Sequence, residues 1–207
     1  MRVGFATPDD VADIQSIWHQ PHTVGALGGP SFREVLNKSC ERNAVVATWD
    51  GDKMTSFLEF TYRPYIRISQ NSMGVDKEYQ SLGLVQAMMT MMVIECASTF
   101  RWEIVDHLIG NNPGAQLSAM GMGYQRKVTM RKKTRRHQTL SEWTLNLLEK
   151  SPGSLKWVVE SLEEHKFEYL PYKQAQLPHE LVSRLSYEQL RQLAANEDWA
   201  IRLKESA

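Results

Sequence analysis

The stretch 75-VDKEYQSLGLVQAMM-89 places a polar turn, which contains Gln80 and Gly83, directly before a run of apolar residues typical of a helix. The first N–H groups of a helix have no partner within the helix, and the helix dipole gives this end a positive partial charge. A glycine in the turn lets the main chain approach a ligand closely, because no Cβ stands in the way. The stretch therefore predicts either a site for a phosphate group or only a tight strand-to-helix turn.

Two ionisable side chains lie in stretches where they could accept or donate a proton during a reaction. Glu59 lies in 57-FLEF-60, which is otherwise apolar, and burial makes a carboxylate a stronger base. The alternative is that Glu59 lies on the solvent face of an alternating strand. His107 follows Asp106 near the end of 102-WEIVDHLI-109, and histidine titrates near physiological pH. The alternative for His107 is a structural histidine whose hydrogen bonds are satisfied.

The run 126-RKVTMRKKTRRH-137 contains seven Lys and Arg residues and no acidic residue. Such a run can clamp a phosphate group, contact nucleic acid or another acidic polymer, or form a solvated edge strand. We favour the edge strand or a partner contact over nucleic-acid readout, because no aromatic side chains are interleaved with the charges. Cys40 and Cys96 form no CxxC pair, so the sequence predicts two buried thiols and no metal site.

The overall composition is that of a soluble globular protein. The chain has 207 residues, of which 42% are hydrophobic and 23% charged, and its net charge is zero, so no overall field attracts nucleic acid or a membrane. The first residues lack an apolar core of signal-peptide length, and no apolar run reaches the roughly 18 residues of a membrane span. We therefore expect a cytoplasmic protein without a membrane partner.

The pattern of apolar residues and turn residues predicts a mixed sheet with helices in the order β-α-α-β-β-β-α-β-α-β. The predicted strands are 2–6, 44–49, 54–62, 65–75, 102–109 and 124–133. The first predicted helix begins after Thr7. The others cover 31–42, the stretch from the turn with Gly83 to about residue 100, and 112–122. Beyond residue 137 the pattern becomes helical, with candidate helices at 140–150, 154–166 and 187–205. This change divides the chain into a domain of residues 1–137 and a helical C-terminal extension of residues 138–207.

The element order and two motifs resemble the GCN5-related N-acetyltransferase (GNAT) family. The stretch 75-VDKEYQSLGLVQAMM-89 is similar to the family's V-D-x-x-Y-Q/R-x-x-G-x-G/A pyrophosphate loop and its following helix. The stretch 112-NPGAQLSAMGMGY-124 is similar to the family's N-x-x-A helix and the G-F/Y that follows it. The resemblance covers about residues 2–133. It implies an α/β GNAT-like acyl-CoA N-acyltransferase fold with a mixed sheet, to which the helical extension predicted from the apolar pattern is added.

The resemblance also implies a cosubstrate, acetyl-coenzyme A, and direct attack on its thioester by a primary amine of an unidentified small molecule or protein. Glu59 and His107 are then the candidate catalytic residues, since the end of the His107 strand borders the acceptor cleft in the resembled fold. The candidate cofactor contacts come from the strand before the loop, the loop itself and the second motif: Met73, Val75, Gln80, Ser81, Leu82, Gly83, Leu84, Val85 and Asn112.

Two positions depart from the family pattern. Val85 stands where the family has Gly or Ala, and a branched side chain there either crowds the pyrophosphate or points away from it. Ala119 stands where many members have the tyrosine that protonates the leaving thiolate. An alternative is therefore a catalytically inactive structural or binding protein of this fold, such as a phage virion component, which assembles with itself or a partner through residues 138–207. A weaker alternative is an acyltransferase that acts on nucleic acid.

Overall fold

The computed structural model describes residues 1–23, 30–63, 67–98, 103–109, 113–130, 140–146 and 167–169. The strands are β1 (Arg2–Phe5), β2 (Val45–Asp50), β3 (Lys53–Tyr62), β4 (Arg67–Val75), β5 (Glu103–Ile109), β6 (Gln125–Met130), β7 (Leu140–Asn146) and β8 (Glu168–Tyr169). The helices are α1 (Val11–Trp18), α2 (Pro30–Glu41), α3 (Leu84–Ser98) and α4 (Pro113–Gly121). The strands form one mixed sheet in the order β6-β7-β5-β4-β3-β2-β1-β8. The elements predicted before residue 131 are confirmed in type and order.

Helices cover both faces of this sheet. The face under α3 is filled by an apolar cluster that includes Met88 and Met92 of α3 together with Leu58 and Ile104 of the sheet. The opposite face, under α1 and α2, is filled by a second cluster. Because central strands are buried on both sides, β3 is enclosed from Met54 to Phe60 without an exposed residue. The sheet therefore has an α3 side and an α1/α2 side, each with its own core.

Strands β4 and β5 run parallel and then part. They pair only from Arg67–Ser69 with Glu103–Val105, although β4 continues to Val75 and β5 to Ile109. On its other edge β4 pairs with β3 along its length, but Glu59 pairs with Ser72 and Phe60 pairs with Gln70. Asn71 is therefore an extra residue in β4, which is a β-bulge, and bulges bend a strand and raise its twist. The result is a gap between β4 and β5 next to the bulge.

The predicted helix over 140–150 is wrong for residues 140–146, which form β7. This strand lies between β5 and β6 and pairs antiparallel with both. Leu140 and Trp143 have a helical spacing, but Trp143 and Leu145 also alternate, and aromatic and β-branched residues such as Trp143 and Thr144 favour strands. Hydrogen bonding to a strand on each side decides the outcome, because it satisfies all the main-chain groups of the segment.

A second segment beyond residue 137 also joins the sheet. Residues Glu168 and Tyr169 of β8 pair in parallel with Arg2 and Val3 of β1, and Phe167 packs against the core on the α3 side. The helical character predicted for residues 138–207 therefore does not hold for β7 and β8. The predicted helices 154–166 and 187–205 lie outside the described residues, as do residues 131–137 of the basic run.

Candidate functional site

A cavity of about 210 Å³ lies on the α3 side, where β4 and β5 part. Gln70 and Asp106, the residues directly after the last pair of these two strands, lie in its wall, at the closed end of the gap. The remaining polar wall residues are Ser118 and Tyr124. Most of the wall is apolar and comes from β4, α3 and the region of α4: Met73, Val85, Met89, Ala115, Ala119 and Met122. An apolar cavity with a few convergent polar groups is the usual form of a small-molecule site.

The loop between β4 and α3 leads to this cavity. Ser81 and Gly83 have positive φ values of 65° and 78°, and the loop ends where Gly83 accepts a hydrogen bond from the N–H of Ala87 at 3.1 Å. Within the described chain, the N–H groups of residues 84–86 have no hydrogen-bond partner. A Cβ built on Gly83 would meet only Gln86 Oε1, at 3.9 Å. The space in front of this helix start is therefore open.

The two departures from the family pattern both lie at the cavity. Val85 is half-buried, packs against the core on the α3 side and lines the cavity. Ala119 is buried in the cavity wall, so this position supplies no hydroxyl group. The hydroxyl groups in the wall belong to Ser118 and to the buried Tyr124, whose Oη lies 3.9 Å from Met89 Sδ.

Glu59 lies on the opposite side of the sheet, under α2. Its side chain is only 4% exposed, so the alternative that Glu59 faces solvent is wrong. One carboxylate oxygen accepts a hydrogen bond from Ser39 of α2 at 2.9 Å, and the other accepts one from Ser72 of β4 at 2.7 Å. Ser72 follows the bulge at Asn71, so Glu59 is linked to the part of β4 that has separated from β5.

Cys40 also lies on the α1/α2 side of the sheet, and its burial shows that solvent is excluded there. The thiol is 2% exposed. Burial first, and then the negative charges of Asp10, Glu59 and Glu41, raise the pKa of Cys40 to about 12. A thiol with this pKa stays protonated and is a poor nucleophile. The prediction of a buried thiol is confirmed for Cys40, while the side chain of Cys96 lies outside the description.

The other predicted site residues are placed as follows. His107 lies in β5, paired with Glu142 of β7, and only its main chain is described. Asn112 lies outside the described residues. Met73 and Val75 lie on β4 beyond the last pair with β5, and the exposed residues Gln80, Ser81 and Leu82 form the loop. The structure thus brings Met73 and Val85 to one cavity, and it places Glu59 on the other side of β4.

Sequence reasoning missed the side chains of Gln70 and Ser72, which lie near the gap. It names Asp106 beside His107, and the pairing of β5 with β4 is what places Asp106 in the cavity wall. Gln70 and Ser72 gave no signal, because a bulge is not visible in residue types alone. Across the described residues there is no cluster of His, Cys, Asp and Glu that could hold a metal ion. Nor is any helix in the described ranges long and apolar enough to cross a membrane.

Comparison with known proteins gave matches among solved structures alone: no family model and no curated protein matches this sequence. Ard1 from Thermoplasma volcanium superposes with a TM-score of 0.65 at 11% identity, over 71% of this chain and 97% of that one. An acetyltransferase of the GNAT family from Bacillus cereus gives a TM-score of 0.56 at 14% identity, over 70% and 96%. The chain has the GNAT fold.

A third GNAT-fold neighbour is yncA from Salmonella typhimurium, a structure that includes its cofactor acetyl-CoA. It superposes with a TM-score of 0.59 at 17% identity, over 73% of this chain and 96% of that one. Each of these neighbours is matched almost completely, so the GNAT fold accounts for about seven tenths of this chain. At such low identities the likeness establishes the fold, and the activity has to be argued from the site itself.

Proposed function

We propose that this protein is an acetyl-CoA-dependent N-acetyltransferase that acts on a primary amine. The observation that carries the proposal is the continuity of three features: the open start of α3, the cavity beside it and the gap between β4 and β5. Together they offer a site for a ligand with an anionic end and a long, mostly apolar arm. Coenzyme A has this shape, and GNAT-fold acetyltransferases are this chain's structural neighbours.

The diphosphate would lie at residues 80–85. The unpaired N–H groups at the start of α3 favour an anion there, because they donate hydrogen bonds and carry the positive end of the helix dipole. Gly83 keeps the approach open. The side chain of Val85 does not block this placement of the diphosphate, because it lines the cavity and packs against the adjoining core. The loop residues and Val85 therefore fit the anionic part of the ligand.

The pantetheine arm would run along β4 through the cavity. The six residues 70–75 of β4 lie beyond the last pair with β5 and span roughly 20 Å at about 3.3 Å per residue. Their main-chain groups facing the gap are not used by β5, and amide groups of the arm can pair with them as a strand would. Met73 and Met89 line the path, and methionine adapts its shape to a flexible ligand. The reacting end would then lie near Gln70 and Asp106.

Bound acetyl-CoA would supply a thioester that a neutral amine can attack. A protein site must therefore take a proton from the ammonium form of the acceptor. We assign this task to Glu59 acting through Ser72, whose hydroxyl donates to the Glu59 carboxylate at 2.7 Å. The Ser72 oxygen would receive the amine proton while its own proton passes to Glu59, so the ammonium becomes a neutral amine and the buried carboxylate becomes a neutral carboxylic acid. His107 stays a second candidate for this role.

The proposal is tested by calorimetry with CoA and acetyl-CoA, together with thiol release in the presence of a panel of primary amines. We expect saturable binding of both ligands and amine-dependent release of CoA. Absence of heat and of a thermal shift at millimolar ligand would overturn the proposal. Binding without turnover on any amine would instead favour the alternative of a GNAT-fold binding protein.

Gly83→Ala provides a matched variant for this test. Alanine at a φ of 78° is strained by about 1–2 kcal/mol, and its Cβ enters the space proposed for the diphosphate. Gly51→Ala is the control, because Gly51 also has a positive φ, 58°, and an open surrounding, but lies in the β2–β3 turn. We expect Gly83→Ala alone to weaken CoA binding. Equal effects of the two variants would remove residues 80–85 from the proposed site.

A further inference from the structure

Gln20 and His22, in the segment that follows α1, are hydrogen-bonded to the end of β4 and to the two residues after it, directly before the proposed diphosphate loop. His22 Nε2 lies 2.8 Å from the carbonyl oxygen of Val75, which makes the ring nitrogen the donor. The side-chain amide of Gln20 makes two contacts, donating to Asp76 Oδ2 at 3.2 Å and accepting from the N–H of Lys77 at 3.1 Å. The last residue of β4 and the first two residues of the β4–α3 connection are thus held by one short segment.

The packing beneath these bonds is close. A Cβ on Gly74 would lie 2.7 Å from Phe57 Cε1 of β3, a distance that real Cβ atoms essentially never show, and also 3.0 Å from Ile17 Cγ2 of α1 and 3.2 Å from Thr23 Cγ2. Thr23 in turn donates a hydrogen bond to the carbonyl of Ile17 at 2.9 Å. Only glycine at position 74 lets the end of α1 lie so near β4. Residues 20–23 are therefore fixed to α1 and to β4 together.

Asp76 makes the Gln20 contact a strong one. Burial opposes its ionisation, but hydrogen bonds from the N–H of Glu78 and from Gln20, with the ammonium of Lys53 3.7 Å away, hold the pKa of Asp76 below its usual value. Asp76 is therefore a carboxylate at neutral pH, and hydrogen bonds to a charged acceptor are about twice as strong as neutral ones. Its other oxygen accepts the N–H of Glu78 at 3.0 Å and so caps the turn that leads to Gln80.

We propose that Gln20, supported by His22, is a positioning residue that holds the loop of residues 80–85 in the geometry that accepts the diphosphate of coenzyme A. This inference rests on the proposed function. Gln20 itself is about 60 positions away from the loop in sequence and acts on it through Asp76 and Lys77, which lie at the entry of the turn before Gln80. The segment after α1 thereby sets the affinity for the nucleotide half of the ligand.

The test is a double-mutant cycle on the Kd of CoA, using Gln20→Met, Gly83→Ala and the double variant. Gln20→Met keeps the length of the side chain and removes both hydrogen bonds, so we expect about a tenfold rise in Kd. If Gln20 acts through the loop, the Kd of the double variant should be about equal to the higher Kd of the two single variants. The effects of coupled sites on binding free energy are not additive. Ser16→Ala on the exposed face of α1 is the control and should bind as the unaltered chain does.

Three outcomes are informative. An unchanged Kd in Gln20→Met would overturn the inference, and so would strictly additive effects, since these describe a general structural role. Failure of the unaltered chain to bind CoA would sink the proposed function itself and is distinguishable at the first titration. We expect His22→Phe to weaken CoA binding, and His22→Gln, which retains an N–H donor for the carbonyl of Val75, to bind almost as tightly as the unaltered chain.

Discussion

Strand β4 separates two sites of opposite character. On the α3 side lies an open cavity with a mostly apolar wall, and two of its polar residues, Gln70 and Asp106, lie at the closed end of the gap. On the α1/α2 side lies a closed polar cluster, in which Glu59 is hydrogen-bonded to Ser39 and Ser72 and is almost completely buried. The first arrangement suits a long ligand that enters and leaves. The second suits a carboxylate that is held in a fixed place as a proton acceptor.

The two faces of β4 therefore have different tasks in the proposed reaction, which are ligand binding on one side and proton acceptance on the other. The bulge at Asn71 and the loss of pairing with β5 occur at the same level of β4, so both sites meet the gap there. A thioester delivered along the cavity and a proton acceptor under α2 would then act on the same point from opposite sides.

The largest effect is expected from filling the cavity. Ala115→Trp places an indole where the wall is now a methyl group on a half-buried position of α4. We expect the affinity for CoA to fall by at least about 100-fold, which is about 2.7 kcal/mol. Calorimetry measures this loss, and circular dichroism verifies that the fold is retained.

Leu117→Trp is the matched control for that variant. Leu117 lies two residues further along the same helix, is 68% exposed and takes no part in the cavity wall. The same indole there should leave CoA binding unchanged. Comparable losses in both variants would mean that the helix, and not the cavity, governs binding, and the assignment of the ligand to the α3 side would fail.

A smaller effect, on rate and not on binding, is expected at the buried cluster. Glu59→Gln keeps the size of the side chain but removes the proton acceptor, so kcat should fall about 100-fold, within the usual range for a general base. The Kd of CoA should stay within a factor of about two, because Glu59 lies outside the cavity wall. Ser72→Ala should reproduce most of the loss in kcat if the proton passes through this hydroxyl.

The same substitution at a surface position gives the reference for Glu59. Glu34 of α2 is exposed and paired with Lys38, so Glu34→Gln should keep full kcat. Steady-state rates at saturating acetyl-CoA provide the comparison. A Glu59→Gln chain that turns over at the normal rate would restrict Glu59 to a structural role and leave His107 as the candidate.

The smallest effect is expected for the labelling rate of the Cys40 thiol, which measures how well solvent is excluded from the α1/α2 side. With its pKa raised to about 12 by burial and nearby carboxylates, about one thiol in ten thousand is ionised at pH 8. In a Cys96→Ala chain, we expect a disulfide reagent to label Cys40 only very slowly at pH 8 and rapidly after unfolding in urea. Rapid labelling of the folded chain would contradict a closed polar cluster beneath α2.

Some of this architecture was predictable from local patterns. The hairpin of β2 and β3 follows from alternating apolar residues around Asp50 and Gly51, and α3 follows from a mostly apolar run after Gly83. The loop before α3 was recognisable because glycine and the amides of a helix start are local features. The strand β7 was not, since 140-LSEWTLN-146 carries helical and strand patterns together, and pairing with β5 and β6 selects the strand.

The sequence alone determined the elements up to residue 130 and the turn at the start of α3, because both depend on residues close together in the chain. Tertiary structure decided the gap between β4 and β5, the burial of Glu59 against Ser39 and Ser72, and the contact of Gln20 with Asp76. These contacts join residues far apart in sequence. Their partners are selected by strand register and packing, which residue types by themselves leave open.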